Sequence, residues 1–252
     1  MSVTSAVPVV ASWREPSGVV PRGTVVVIPG RGEHAGVYER FGRRISADGY
    51  RVWAVADPAV DADRAEGQIR SLLPAEPGPV VLVGSDTGAL FAAGLVAGGL
   101  GGVDALVLAG LPVVGGATPV AWDDELAART ACPTHQARLG DDSGVRRGAL
   151  ADRVPAGWPA AAEAARIGVP VLGLHGDADT VSPVAGARAW YAGVARGELV
   201  TISGGRHDAL NDATHRTAAA SIVLFLERLR LGADVPAIAR VEIVGETLGE
   251  TR

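Results

Sequence analysis

Cysteine is almost missing from this chain. Cys132 is the single one, so no internal disulfide can staple the fold, and a reducing compartment, the cytoplasm, is the expected setting. An excess of positive charge is missing too. With 23 Lys and Arg against 28 Asp and Glu, interspersed to a net charge of -5, no basic stripe exists to hold a phosphate backbone, and nucleic-acid binding is excluded. The longest uncharged stretch, between Asp86 and Asp104, is broken by Gly94, Gly98, Gly99, Gly101 and Gly102, which suits a buried helix and loop rather than a membrane span. The opening MSVTSAVPVVASWREP has neither a basic start nor a long apolar core, so no signal peptide is expected. There is no internal repeat and no low-complexity block.

At 252 residues and 48% hydrophobic, the chain can bury one sizeable core, which bounds it to a single α/β domain carrying an insertion. Residues 5 to 22 hold two short apolar runs broken by Pro8 and Pro21, the pattern of a leading edge hairpin. Thr24 to Ile28 is a continuous β-branched run, as in a strand covered on both faces, and it stops at Pro29-Gly30-Arg31-Gly32. Val37, Phe41 and Ile45 then recur at helical spacing, with Asp48-Gly49 closing the helix before a strand at 50–55. An amphipathic helix at 61–73 leads to a strand from Val80. Further strands at 103–110, 169–174 and 198–202 alternate with helices near 159–167, 183–194 and 212–230. Such alternation predicts a doubly wound, mostly parallel sheet with right-handed crossovers. The alternation lapses over 112–158, where Pro, Gly, Asp and Arg are dense. This divides the chain into a core of 1–111 plus 159–252 and a lid inserted at 112–158. Trp122, His135 and Trp158 in or beside that lid, with Cys132, are candidates to face a substrate; the tryptophans could equally fill the lid's own small core. Residues 240–244 read as a further strand, either an extra edge strand or a partner contact.

The chain is organised around Val80-Val81-Leu82-Val83-Gly84-Ser85-Asp86-Thr87-Gly88, an apolar strand that ends in small residues and passes into Ala89-Leu90-Phe91. Strand, sharp turn and helix in that order form a nucleophile elbow, in which glycines two positions before and after the apex let the backbone turn and present one side chain above the sheet. The apex is Asp86, where the GxSxG pattern has serine. Ser85, one step back, reads as a packing or turn residue. The same five residues would also make an ordinary turn with Asp86 as helix N-cap.

Two other strand ends favour the elbow. Leu174-His175-Gly176-Asp177-Ala178-Asp179 brings two acids to the end of one strand, and Ile202-Ser203-Gly204-Gly205-Arg206-His207 brings a histidine to the end of another. Elbow, acid and histidine then follow in chain order at the carboxyl ends of parallel strands, where open α/β sheets place their sites. His207 needs an acceptor on its second ring nitrogen, and Asp179 serves better than Asp177, which sits nearer the strand and reads as a turn residue. His175 and His215 take structural readings.

These motifs resemble the α/β-hydrolase fold from about residue 20 to 230. PGRGEH at 29–34 resembles the HGxGEH loop of the monoacylglycerol lipase and lysophospholipase branch, and GGRHDALND at 204–212 resembles that branch's histidine loop. The resemblance implies an oxyanion hole made by the backbone amides of Arg31 and Thr87. It also implies a small-molecule substrate with no cofactor and no metal. Pro29 replaces the branch's leading histidine, and Asp86 replaces its serine.

A carboxylate attacking an ester would form a mixed anhydride, a poor intermediate, whereas attack on saturated carbon gives an alkyl-enzyme ester that His207-activated water can clear. Haloalkane and haloacetate dehalogenases and epoxide hydrolases of this fold have such an aspartate. Epoxide opening calls for a phenol, and the lid contains no tyrosine; halide departure calls for N-H donors, which Trp122, Trp158 or His135 could supply. The expectation is therefore a hydrolase acting on a small apolar molecule, with Asp86 as nucleophile, His207 as base and Asp179 as its orienting acid, under a short lid over a mainly apolar pocket. The alternatives are a carboxylic ester hydrolase, general-base chemistry by Asp86 and His207 without a covalent intermediate, or a non-catalytic binding protein of the same fold.

Overall fold

The structure is a computed structural model that describes residues 11–113 and 115–240. Seven strands form one sheet in the order β1-β3-β2-β4-β5-β6-β7. They are β1 Ala11–Trp13, β2 Thr24–Ile28, β3 Arg51–Ala54, β4 Val80–Ser85, β5 Ala105–Ala109, β6 Val171–Gly176 and β7 Gly197–Ile202. All neighbours pair in parallel except β1, which runs antiparallel to β3 at the edge. The expected leading hairpin does not form among the described residues, because the short β1 finds its partner in β3 and Arg14 to Gly23 carry no strand. Residues 5–10 of that expectation, and 241–244 of the expected last strand, lie outside the described residues.

Each apolar strand divides its side chains between two cores. Val25 and Val27 of β2 join Val81, Val83 and Val107 on one face, under α1 (Glu39–Ala47) and α8 (His215–Leu229), whose Phe41, Ile45, Ile222 and Phe225 are buried there. Val26 and Ile28 point the other way with Leu82, Leu106 and Leu108, under α2 (Ala62–Leu72), α3 (Thr87–Ala97) and α7 (Val184–Tyr191). An alternating side-chain direction within an unbroken apolar run is what a strand covered on both faces requires.

Between β5 and β6 the chain leaves this plan for α4 (Trp122–Arg129), α5 (Pro133–Asp141) and the short α6 (Trp158–Ala161). The helix expected over 159–167 is broken into α6 and a separate 3-10 turn, Ala164–Arg166. Pro159 sits in the first turn of α6, but Ala162 and Glu163 leave helical geometry before the next turn begins. Four loops at the carboxyl ends of β2, β4, β6 and β7 carry Arg31, Asp86, Asp179 and His207 to one edge of the sheet.

Candidate active site

The turn after β4 is the sharp bend that the elbow pattern demands. Asp86 adopts φ 48° and ψ -122°, left-handed backbone that a side chain occupies at a cost of about 1–3 kcal/mol. Both flanking glycines are there because nothing larger fits. A Cβ on Gly84 would lie 2.4 Å from the Gly88 carbonyl, and one on Gly88 would lie 2.3 Å from the Ile28 carbonyl. The plain N-cap alternative fails on hydrogen bonding, since the Asp86 side chain caps no amide of α3 and turns toward other partners.

Those partners are His207 and Arg31. His207 Nε2 is 3.2 Å from Asp86 Oδ1, while its Nδ1 is 2.8 Å from Asp179 Oδ2. Asp179 is itself fixed, as its Oδ1 accepts from the Val181 and Ser182 amides, both at 2.9 Å. Asp177 plays the expected turn role, accepting from the Gly204 amide at 2.7 Å and joining the loops after β6 and β7. The three residues read from sequence therefore converge, with each of them buried.

Arg31 meets Asp86 twice over. Its backbone amide donates to Asp86 Oδ2 at 3.0 Å, the position where an oxyanion would be held. Its guanidinium then grips the same carboxylate bidentately, Nε to Oδ2 at 2.8 Å and Nη2 to Oδ1 at 2.9 Å, while Nη1 donates to the Asp152 carbonyl. Thr87 opens α3 directly after the bend and is fully buried, with a hydroxyl that has no hydrogen-bond partner among the described residues.

Burial raises the pKa of an unpaired carboxyl, yet for Asp86 the hydrogen bond from His207 and the charge of Arg31 outweigh it and hold the group far below the usual carboxylate range. Burial likewise acts against a charged His207. The Asp179 and Asp86 carboxylates win, raising the imidazole to about 10. Asp179 is lowered, as the charge of His207 and the bonds from His175 and His207 overcome its burial. At neutral pH the site is thus two cations interleaved with two anions. His207 rests protonated.

The surrounding loops are braced by a second layer of buried charge. Arg129, at the end of α4, reaches Glu33 Oε1 at 2.9 Å, Glu125 Oε1 at 2.7 Å and the Arg31 carbonyl at 2.9 Å. Glu33 also accepts from the Tyr38 hydroxyl, which in turn accepts from the Gly30 amide. The same end of α4 holds the histidine loop, whose His207 and Asp208 amides donate to the carbonyls of Ala128 and Arg129. His175, read as structural, proves to be a second imidazole on the orienting acid, its Nε2 lying 2.6 Å from the Ser182 carbonyl and 3.2 Å from Asp179 Oδ2.

The lid candidates are placed elsewhere. His135 is 2% exposed and its Nε2 lies 3.0 Å from Asp208 Oδ2, so it faces a buried carboxylate rather than a cavity. Trp122 packs against the core under the Arg147 guanidinium, 5.1 Å from the ring centre. Trp158 stacks on Phe91 at 5.0 Å and lines a separate cavity of about 190 Å³ on α3. Cys132 is buried and close to Arg40 Nη1. The cavity that reaches the site, about 260 Å³, is lined by Arg31, Arg153 and Asp152 beside Leu150, Val154, Val181 and a glycine-rich turn at 115–118. Against expectation it is not mainly apolar, because the inserted segment turns Asp152 and Arg153 into it. A larger cavity of about 380 Å³ lies behind the Arg31 loop, where Asp57, accepting from the Gly32 and Ala59 amides, is raised by burial to about 6. Among the described residues no cluster of His, Cys, Asp or Glu could hold a metal ion, and no helix is long and apolar enough to cross a membrane.

The sheet order, the bend after β4 and the loops at its carboxyl edge define the α/β-hydrolase fold, and solved structures bear this out. The chain is similar to a monoacylglycerol lipase of Paleococcus ferrophilus, with a TM-score of 0.71 and 21% identity over 86% of this chain and 96% of that one. It is also similar to a soluble variant of the Saccharomyces cerevisiae monoglyceride lipase, TM-score 0.66 and 16% identity over 86% and 90% of the two chains. An esterase from Rhodococcus sp. ECU1013 matches with a TM-score of 0.61 and 20% identity, covering 85% and 92%. The sequence matches no protein-family model and no curated protein. At these identities the likeness is one of fold.

Proposed function

We propose that this chain is a hydrolase in which His207, oriented by Asp179, drives water onto an ester carbonyl held by the Arg31 amide, and that this ester is one formed on Asp86 itself. The observation that carries the reading is Asp86 Oδ2 on the Arg31 amide at 3.0 Å. With Oδ2 already in the oxyanion position, Oδ1, which lies 2.9 Å from Arg31 Nη2 and 3.2 Å from His207 Nε2, is the oxygen that attacks a saturated carbon bearing a halide or an epoxide oxygen once the guanidinium turns aside. The carboxyl carbon of the resulting ester is then positioned for water.

Charge supports the same order of events. In the resting state two carboxylates keep His207 protonated and useless as a base. Esterification removes the charge of Asp86, leaves His207 with Asp179 alone, and lets the imidazole shed its proton when a base is next required. The residues at 112–158 act as the lid, since α4 and the 150–154 turn close over the Arg31 side of the site.

A second reading is direct hydrolysis of carboxylic esters, and the lipases and esterases among the similar structures favour it. It meets an obstacle at Arg31, whose amide and side chain are both engaged by Asp86. The test is intact mass after incubation of a His207→Ala variant with small epoxides and organohalides. A stable adduct at Asp86 is expected; turnover of short-chain esters by the native chain with no adduct from any such electrophile gives the case to the second reading.

A further inference from the structure

We infer that Arg31 is a receptor for a substrate carboxylate, so that the chain selects short carboxylic acids bearing a leaving group on the adjacent carbon. This rests on the alkyl-enzyme reading above and names its substrate class. Of the two residues that bind the Asp86 side chain, Arg31 also lines the 260 Å³ cavity and His207 does not. A molecule in that cavity meets Asp86 by way of the guanidinium. Arg153 and Asp152 line the same cavity; Asp152 is paired with Arg146 at 2.6 Å, so an incoming anion finds the positive charge of Arg153 there before it meets Arg31.

The pairing of charges gives the reason for selection. Arg31 is 5% exposed, and its counter-ion is Asp86. Once Asp86 becomes an ester, a neutral substrate leaves a buried guanidinium without an anion, which is costly. A substrate carboxylate takes over the bidentate grip, frees Oδ1 for attack, and leaves the two cations each with one anion, Arg31 with the substrate and His207 with Asp179.

The bonds balance with water as the only co-reactant. Asp86 Oδ1 bonds to the carbon next to the carboxylate as the bond to the leaving group breaks, its electron pair departing with a bromide, for instance. With the Asp86 charge gone, His207 releases its proton to solvent; water then gives a proton to the neutral imidazole and bonds to the Asp86 carboxyl carbon. The bond from that carbon to Oδ1 breaks, and the alkoxide takes the proton from His207. A 2-hydroxy acid, bromide and one proton result.

The experiment compares 2-bromopropionate with 2-bromopropanamide, which share skeleton and leaving group but differ in charge. Bromide release is divided by the uncatalysed rate with acetate for each compound. The native chain is expected to favour the acid by about a hundredfold, and Arg31→Leu to bring the two within a few fold of each other, the scale set by truncating one partner of a buried charge pair. If Arg31→Leu fails to fold, inhibition of the native chain decides instead: propionate is expected to compete and propanamide not to. Equal processing of acid and amide, with an adduct on Asp86, overturns the receptor while leaving the nucleophile intact. Bromide from neither, with no adduct, overturns both.

Discussion

The backbone amide of Arg31 and the Oδ2 of Asp86 stand 3.0 Å apart, and the guanidinium of the same arginine closes on both oxygens of that carboxylate. One residue thus holds the tip of the bend through main chain and side chain together, filling the place a serine enzyme keeps open for its oxyanion. Replacing the carboxylate should reopen it. Asp86→Ser leaves a hydroxyl beside His207, itself braced by Asp179, and returns the Arg31 amide to free use. Turnover of a short-chain chromogenic ester is expected to rise above that of the native chain. Breaking the buried pair with Arg31 should also cost about 3–5 kcal/mol of stability. A variant no better on esters than the native chain would show that the bend does not present its tip to substrate.

Alkaline pH should weaken the fold through His207. Its folded pKa of about 10 lies above the unfolded value, so the stabilisation is fully present below about pH 6.5 and is lost as pH rises through 10. A shift of this size corresponds to roughly 5 kcal/mol at about 1.4 kcal/mol per unit. Asp86 and Asp179 act at the other end: both are lowered, so their contribution is present above the unfolded carboxyl value and fades only as pH falls well below it. Urea midpoints from pH 6 to 10 should decline steadily, and Asp86→Asn, which removes one of the charges that raise His207, should end the decline at lower pH and make it smaller. A flat series across that window is incompatible with an imidazolium between two carboxylates.

The parts of this site legible in the sequence were those written locally. Gly84 and Gly88 bracket Asp86 at a spacing that a tight bend requires, and Asp179 and His207 each follow an apolar strand, so chain order and strand ends were enough to bring them together. The side chain of Arg31 was not legible. The loop pattern assigned a role to its amide alone, and nothing in PGRGEH says where a guanidinium will turn. Arg129 and its two glutamates were equally hidden, since they meet across 96 residues and within a segment whose composition looks like exposed loop. His135 misled for the same reason: its partner Asp208 is 73 positions away, and a polar residue in a polar segment gives no hint that it is buried.

That hidden brace has a measurable consequence. Arg129 is 1% exposed and is the cation between Glu33 and Glu125. Arg129→Met would leave two carboxylates buried without a counter-charge, at a cost of about 3–5 kcal/mol. In a chain of this size each kcal/mol lowers the melting temperature by about 2–4 °C, so a fall of roughly 10 °C is expected. The Arg31 carbonyl loses its donor as well, and catalytic rate should fall further than the unfolded fraction accounts for. A melting temperature within a degree or two of the native chain would mean that these carboxylates are not charged in the fold.

The oxygen atom in the product separates the two readings of the chemistry most sharply. If Asp86 Oδ1 attacks carbon and water later attacks the Asp86 carboxyl carbon, the hydroxyl oxygen of the first product comes from the protein and the solvent oxygen stays behind on Asp86. A single turnover in water enriched in oxygen-18, with enzyme in excess, should therefore yield unlabelled alcohol and an Asp86 peptide heavier by one label. The pH dependence should agree. Once Asp86 is an ester, His207 answers to Asp179 alone, so the second step should rise with pH along a limb below 10. Water driven straight onto a bound substrate, with the Asp86 carboxylate still in place, requires His207 to lose its proton against both anions, and its limb falls near the raised value of about 10. Labelled alcohol from the first turnover, together with that alkaline limb, would remove Asp86 from the role of nucleophile.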